Sequence, residues 1–191
     1  MQNEKGFSLI ELIAVMVIIA VIVGGAGLAI TSGDQKTLFN DQVERFVAYA
    51  EHGSELAAIT GESVALFLEP PEWQDEDIED DGIGWRYSWK VSSFQGWNPI
   101  DALPVQDFDE RINLLVLINE QAWEYENAPE VLEPIVEFSP SGDVTPFEIE
   151  FTHEELIDEV AHVEINVWGE ISWRERAEDM EELREYLDDD E

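Results

Sequence analysis

The stretch KGFSLIELIAVMVIIAVIVGGAGLAI, residues 5–30, decides how the fold begins. Its apolar part covers residues 7–30, and Glu11 is the one charged residue in those 24 positions. A helix of this length extends over about 36 Å, which exceeds the roughly 30 Å hydrocarbon core of a bilayer. We therefore predict a transmembrane helix over 7–33 with a carboxylate near one end, where an ionisable side chain is costly unless it has a partner.

Two other interpretations of this segment stay open. Residues 24–29, GGAGLA, are similar to the small-residue exit of a cleaved secretory signal. The apolar stretch is, however, longer than the roughly 7–15 residues of such signals. A plain signal anchor fits both the length and the hydropathy. Neither interpretation accounts for Glu11.

The remainder of the chain is strongly acidic but not poor in apolar residues. The 191 residues contain 45 Asp and Glu against 9 Lys and Arg, a net charge of −36. This charge disfavours nucleic acid as a partner, because phosphate binding requires Lys and Arg. The absence of Cys excludes disulfides, thiolate metal sites and a cysteine nucleophile. With 45% hydrophobic residues and seven Trp, the chain still has enough apolar surface to form a core.

A second helical pattern follows the membrane segment. Apolar and small residues recur at alternating intervals of four and three, at Phe39, Val43, Phe46, Ala50, Gly53 and Ala57. This spacing predicts one buried face of an amphipathic helix. Gly61 is placed to end the helix. We therefore expect one long N-terminal helix, membrane-embedded in its first half and packed on a sheet in its second.

The residues after this helix predict mainly strands. Period-two alternation or short apolar runs occur at 63–69, 84–91, 112–118, 135–138, 147–151, 163–167 and 171–173. The continuous apolar run at 112–118 favours a central strand, and SPSGD at 139–143 favours a hairpin-like turn between its flanking strands. Residues 154–159 are interpreted as an acidic, helix-like stretch. The predicted fold class is α+β, with the long helix packed on antiparallel β-sheet.

The first residues of the chain also carry a specific motif. KGFSLIELI, residues 5–13, resembles the prepilin peptidase site of type IV pilins and of type II secretion pseudopilins. The resemblance implies cleavage directly after Gly6, N-methylation of the new N-terminal residue Phe7, and a role in assembly for Glu11. In that family the new amine pairs with the Glu of a neighbouring subunit. A carboxylate that faces an ammonium group is much less costly in hydrocarbon than an isolated one.

The globular part has a resemblance of its own. AAITGE at 57–62, the Trp-rich strand at 85–89 and FSPSGD at 138–143 look like the GspH/FimT family. That family contains the H-type minor pseudopilin of type II secretion and minor pilins of the FimT and FimU kind. The resemblance implies a pilin-like fold, a helix wrapped by two β-sheets, in a structural subunit that is not an enzyme and has no cofactor.

Charge favours one branch of this family over the other. Minor pilins that take up DNA need exposed basic residues. In this chain Arg174, Arg176 and Arg184 lie in a C-terminal segment, 174–191, whose ten acidic residues leave it a net charge of −7. We therefore favour a minor pseudopilin of the type II secretion pseudopilus, which helps export folded proteins across the outer membrane. A minor pilin of a type IV pilus, in motility or adhesion, is the alternative.

The resemblance implies a definite organisation for the chain. The expected segments are a cleaved cytoplasmic leader at 1–6, a transmembrane and filament-core helix at 7–33, a periplasmic pilin-like domain at 34–173 and an acidic C-terminal tail at 174–191. The protein is expected in the bacterial inner membrane as a single-pass subunit, with its C-terminal domain in the periplasm. Expected partners are other major and minor pseudopilins, the prepilin peptidase and the inner-membrane secretion platform, with no nucleic acid.

Two further functional hypotheses are weaker. In the acidic loop at 75–82, Asp77, Glu79 and Asp81 are similar to the start of a calcium loop, but its twelfth position is Ser88 and not Glu. A membrane-anchored calcium-binding module is therefore a less favoured function. Catalysis is disfavoured for two reasons. The three histidines, His52, His153 and His162, do not form an H-E-x-x-H motif, and Ser141 is not in a G-x-S-x-G elbow.

Overall fold

A computed structural model describes residues 9–74, 84–125, 129–165 and 169–188 of the chain, with side chains described within 34–181. The chain divides into two compact units, Met1–Leu38 and Phe39–Glu191. Helix α1 covers Leu9–Thr60, a 3-10 turn covers Pro71–Trp73 and helix α2 covers Arg174–Asp188. The described part of the first unit is helical throughout.

The described residues of the second unit form ten β-strands. They are β1 Val64–Glu69, β2 Arg86–Ser93, β3 Gly96–Pro99, β4 Gln106–Asp107, β5 Ile112–Ile118, β6 Gln121–Ala122, β7 Val136–Phe138, β8 Phe147–His153, β9 Leu156–Ile165 and β10 Ile171–Trp173. Sheet A has the order β3-β2-β1-β7, with β4 also paired to β2, and sheet B has the order β10-β9-β8-β5-β6. All of these pairings are antiparallel. The predicted α+β, pilin-like class is therefore confirmed.

The second part of α1 buries the face that the sequence predicted. All six positions at the alternating spacing are buried: Phe39, Val43, Phe46, Ala50, Gly53 and Ala57. The helix ends as expected at Thr60, because Gly61 adopts a positive φ of 74° and its N–H donates to the Ala57 carbonyl at 3.1 Å.

Phe46 shows how this helix joins the two sheets. The centroid of its ring lies 5.3 Å from that of Tyr87 and 6.2 Å from that of Trp89, both in sheet A. It lies 5.5 Å from the ring centroid of Phe151 in sheet B. Phe108 completes the cluster at 6.2 Å. The core of the second unit is therefore built around α1, with one sheet on each side of this ring, as the family resemblance implied.

The aromatic residues that alternate along the segment 85–89 are buried, as the sequence predicted. Trp85, Tyr87 and Trp89 are buried, and Trp89 stacks on Phe138 of β7 with ring centroids 5.5 Å apart. Gly84, just before this segment, permits a close approach of backbones. A Cβ atom at Gly84 would lie 1.9 Å from the Phe108 carbonyl oxygen, so no other residue type fits without movement of the main chain.

Two expectations about the segments that follow β6 were wrong. The turn at 139–143 is present, with the Ser139 N–H donating to the Asp143 carbonyl at 2.8 Å, but β7 belongs to sheet A and β8 to sheet B. The turn therefore passes the chain between sheets and closes no hairpin beyond one isolated bridge. Residues 154–159 are not helical, because they form the connection and first part of β9, which pairs with β8.

The strand β5 lies inside sheet B, between β8 and β6, as its apolar sequence predicts, but only one of its faces is covered. On one side it pairs with β8 along its whole length, but on the other it pairs with β6 over two residues only. Its burial alternates, and Leu115 is 49% exposed. A continuous apolar run is thus compatible with a strand that has one covered face.

Candidate functional site

The N-terminal motif lies at the edge of the described part of the chain. Gly6 and Phe7, the expected cleavage residue and methylated residue, lie outside the described residues. Glu11 lies near the start of α1, and its side chain also lies outside the described part. No helix is long and apolar enough to span a membrane among the residues that the structure describes. The assignments of these three residues and of the span 7–33 therefore stay predictions.

The part of α1 in the second unit presents an acidic face to solvent. Asp41, Glu44, Glu51 and Glu55 are exposed on it. His52 is exposed on the same helix, as expected of a surface residue. Glu44 forms an ion pair with Arg176 of α2, with 2.9 Å between the carboxylate oxygen and the guanidinium nitrogen. This face of the helix is therefore a charged, solvent-exposed surface.

Arg174 anchors the start of α2 on sheet B. Its guanidinium lies 3.0 Å from Glu148 of β8 and 2.9 Å from Glu164 of β9, two residues that face each other across the strands. Two carboxylates in such a pair repel each other. One arginine that binds both of them offsets this repulsion. The hydrogen bonds that the Arg174 guanidinium donates to Glu164 and Glu148 raise the pKa of Arg174. Ser172 of β10 also donates to Glu164 at 3.2 Å.

His162 makes a second connection between α2 and the same sheet face. Its backbone N–H donates to Glu175 Oε2 at 2.9 Å, and its ring Nδ1 contacts Glu175 Oε1. On the other side, ring Nε2 lies 3.5 Å from Glu150. Partial burial acts to raise the pKa of Glu175, but the hydrogen bonds from His162 outweigh it and the pKa is lowered.

The sequence did not predict these anchors. Residues 174–191 were expected as an acidic tail, whereas Arg174–Asp188 form a helix whose first two residues are bonded to sheet B. The available signal was Arg174 and Glu175 directly after a short strand, opposite Glu and His at alternate positions of β9. The boundaries of the tail as a separate segment stay a prediction.

An aromatic groove lies on another part of the second unit. Its lining includes Trp73, Trp123 and Tyr125, together with Glu124 and Glu133, and it encloses about 460 Å³. The Trp73 indole N–H donates to the Tyr125 carbonyl at 3.0 Å, which joins two segments that are 52 residues apart. Sequence reasoning missed this groove, because Trp73 and Trp123 are far apart in the chain.

The comparisons with known proteins concern the N-terminal motif and the fold. The family model of the prokaryotic N-terminal methylation motif matches residues 1–27. No curated protein matches the chain significantly. Two solved structures of the minor pseudopilin EpsH from the type II secretion system of Vibrio cholerae are similar to it, each at 16% identity. They have TM-scores of 0.50 and 0.56, and the matches cover 70% and 72% of this chain and 94% and 95% of those chains.

The fold of the chain is type IV pilin-like. The chain combines the methylation motif at its N-terminus with the fold that is solved in EpsH. At this level of identity the structural likeness establishes the fold, and the fold agrees with the arrangement of one helix and two antiparallel sheets described above.

The remaining candidate residues of the sequence, Ser141 and His153, lie in a turn and in the core. Ser141 donates to Asp143 at 2.8 Å within the exposed turn. His153 is buried, its Nδ1 accepts the Glu155 N–H at 3.1 Å, and its ring meets Phe39 edge-on. These contacts are those of a turn and of a core histidine.

The calcium candidates Asp77, Glu79 and Asp81 lie outside the described residues. Among the residues that are described, no group of three or more carboxylate or imidazole side chains is arranged to hold a metal ion.

Proposed function

We propose that the chain is a minor pseudopilin, a structural subunit of a type II secretion pseudopilus that helps export folded proteins across the outer membrane. The observation that carries this proposal is the presence, in one chain, of the methylation motif over 1–27 and a pilin-like globular unit. The motif alone is compatible with any pilin, and the fold shared with EpsH supports the secretion branch. The protein acts by assembly and not by catalysis.

The proposed maturation follows from the chemistry of the motif. Cleavage after Gly6 releases an α-amine on Phe7, which is then N-methylated. Glu11 lies four residues further, about one helical turn away. Within a filament, the amine of one subunit pairs with Glu11 of its neighbour. The pairing gives the carboxylate a positively charged partner in the hydrocarbon region, and it sets the stagger between subunits.

The proposed location and partners follow from the same assignment. Before assembly, the segment 7–33 crosses the bacterial inner membrane once, with the leader in the cytoplasm and the globular unit in the periplasm. The prepilin peptidase processes the chain, other major and minor pseudopilins bind it through helix packing, and the inner-membrane secretion platform incorporates it.

The charges of the globular unit weigh against the alternative of a DNA-uptake minor pilin. Each arginine with a described side chain is bound to an acceptor of this chain: Arg45 to Gln106, Arg86 to Asp107, Arg111 to Asp109, Arg174 to Glu148 and Glu164, and Arg176 to Glu44. Phosphate binding would have to displace these partners, which are carboxylates for every one of these arginines except Arg45. We therefore expect no micromolar binding of duplex DNA at about 150 mM salt, where non-specific binders reach roughly 10⁻⁴–10⁻⁶ M.

Processing is the first test of the proposal. A Gly6→Val variant, expressed with the prepilin peptidase, should keep its leader, while the wild type should show the mass of a chain that begins at methylated Phe7. Intact-protein mass spectrometry distinguishes the two forms. A variant that is cleaved and methylated at Phe7 like the wild type would contradict the assignment of the peptidase site.

Assembly is the second test, and Glu11→Gln isolates the charge because it keeps the size of the side chain. We expect normal insertion and cleavage but reduced recovery of other pseudopilins with the full-length protein after cross-linking. Glu55→Gln, at an exposed position of the same helix, is the matched control and should leave recovery unchanged. Equal recovery in all three proteins would mean that Glu11 does not recruit this subunit.

A further inference from the structure

The aromatic groove has walls that are held in place before any ligand arrives. The rings of Trp73 and Trp123 lie 5.7 Å apart at 78°, and those of Trp123 and Tyr125 lie 5.2 Å apart at 38°. Behind them, the buried Trp85 meets Tyr125 edge-on at 5.1 Å. The hydrogen bond from the Trp73 indole to the Tyr125 carbonyl fixes the two sides of the groove relative to each other. Such pre-organisation reduces the entropy that a ligand must lose on binding.

The rings of the groove are not part of the closed core. Trp73, Trp123 and Tyr125 are each partly exposed, in contrast to the fully covered Tyr87 and Trp89. The groove has a volume of about 460 Å³, which is within the range of small ligand pockets, roughly 300–1,000 Å³. Partly exposed tryptophan and tyrosine rings are typical of binding surfaces, since they offer a large contact area together with polar edges.

The charge of the groove selects the chemistry of its ligand. Among the described residues, the charged ones that line it are Glu124 and Glu133, both exposed carboxylates. A third carboxylate, Glu72, lies close to Tyr125; burial and this neighbour both raise the pKa of the phenol, which stays uncharged. A phosphate or carboxylate ligand would meet repulsion here. A cation, in contrast, is attracted by the faces of the indole and phenol rings and by the carboxylates.

The cation is expected to come from another protein. This chain has only nine Lys and Arg, and its described arginines are already bound to acceptors within the chain. It uses the same kind of contact internally, since Lys90 lies 4.4 Å from the centre of the Phe67 ring. We propose that the groove of Trp73, Trp123 and Tyr125 binds a lysine or arginine side chain from an extended basic segment of a partner protein.

Fluorine NMR of the full chain in neutral detergent micelles, labelled with 5-fluorotryptophan, tests the proposal at about 150 mM salt, where long-range attraction by the acidic surface is screened. The probe is the capped peptide Gly-Ser-Lys-Ser-Lys-Ser-Gly. Its matched controls replace both lysines by norleucine or by glutamate. We expect the lysine peptide alone to shift the Trp73 and Trp123 resonances, assigned with Trp→Phe variants, in a saturable manner. The Trp173 resonance, whose ring already faces Arg176, should not move.

Two double variants separate the groove from the general acidity of the protein. Glu124→Gln with Glu133→Gln should weaken binding of the lysine peptide about five-fold or more. Asp101→Asn with Glu62→Gln makes the same charge change at exposed positions that do not line the groove, and should change affinity less than two-fold, or about the error of the titration.

Three results would each overturn the proposal. Equal binding of the norleucine peptide would show an apolar groove without preference for a cation. Equal loss of affinity in both double variants would show non-specific attraction by the acidic surface. The absence of any shift of Trp73 or Trp123 up to millimolar lysine peptide would show that no such site exists. The comparison of lysine and norleucine peptides uses the wild-type chain, so it does not depend on the folding of any variant.

Discussion

Replacement of Phe46 by alanine is the most direct test of the way α1 holds the two sheets together. The ring is completely buried and has aromatic neighbours from both sheets at 5.3–6.2 Å. A buried Phe→Ala change costs about 3–5 kcal/mol, and each aromatic pair contributes about 0.5–1.5 kcal/mol beyond its area. Because four such contacts converge on one ring, we expect a loss of about 4–5 kcal/mol.

The assays are urea unfolding and thermal unfolding of the protein lacking residues 1–33, each monitored by tryptophan fluorescence. For a unit of this size, a loss of about 4–5 kcal/mol lowers the melting temperature by roughly 10–20 °C. Phe94→Ala is the matched control: this ring is fully exposed at the tip of the β2–β3 hairpin, so its loss should change stability by no more than about 0.5 kcal/mol. A loss below about 1.5 kcal/mol for Phe46→Ala would refute the argument that this ring links helix and sheets.

Three further predictions concern other parts of the second unit. Gly84→Ala should cost several kcal/mol and prevent stable folding at 37 °C, as measured by circular dichroism, because its Cβ would lie 1.9 Å from a backbone oxygen. Asp109→Asn should cost about 1 kcal/mol at pH 7, because hydrogen bonds from Arg111 lower the pKa of Asp109 from 3.8 to about 2, while solvent screens this partly exposed pair. This stabilisation is present above the ordinary pKa and is lost as the pH falls from about 4 to 2, so urea titrations of the variant should lack that pH dependence. Arg174→Ala should lower stability by about 1–2 kcal/mol, whereas Arg176→Ala, which removes an exposed ion pair, should stay within about 0.5 kcal/mol in the same assay.

Much of the fold was predictable wherever a structural signal is local. The buried face of α1 follows from spacing alone, because side chains three and four residues apart share one side of a helix. The end of α1 at Gly61 follows from the preference of glycine for positive φ. In the same way, alternating apolar residues predicted the core side of β2. Each of these inferences needs only a window of a few residues.

The errors arose where the structure depends on which strands become neighbours. Residues 139–143 have the composition of a hairpin turn, yet β7 pairs with β1 and β8 pairs with β5. Residues 154–159 are acidic and were interpreted as helical, but pairing with β8 makes the segment around Leu156 extended. Strand pairing is decided by contacts between distant parts of the chain, which turn composition and local propensity do not encode.

The sequence by itself determined that residues 1–27 carry a prokaryotic N-terminal methylation motif, because this motif depends on spacing along the chain and on hydropathy. The roles of Gly6, Phe7 and Glu11 within it stay predictions. It also determined which side of α1 is buried. Only the tertiary structure decided how the acidic residues are used. The register of β8 and β9 pairs Glu148 with Glu164, and α2 begins directly after β10, which pairs with β9, so Arg174 lies between the two carboxylates and Glu175 bonds to His162. The aromatic groove likewise exists only in the folded chain, because its rings come from segments about fifty residues apart that meet through sheet packing and one hydrogen bond.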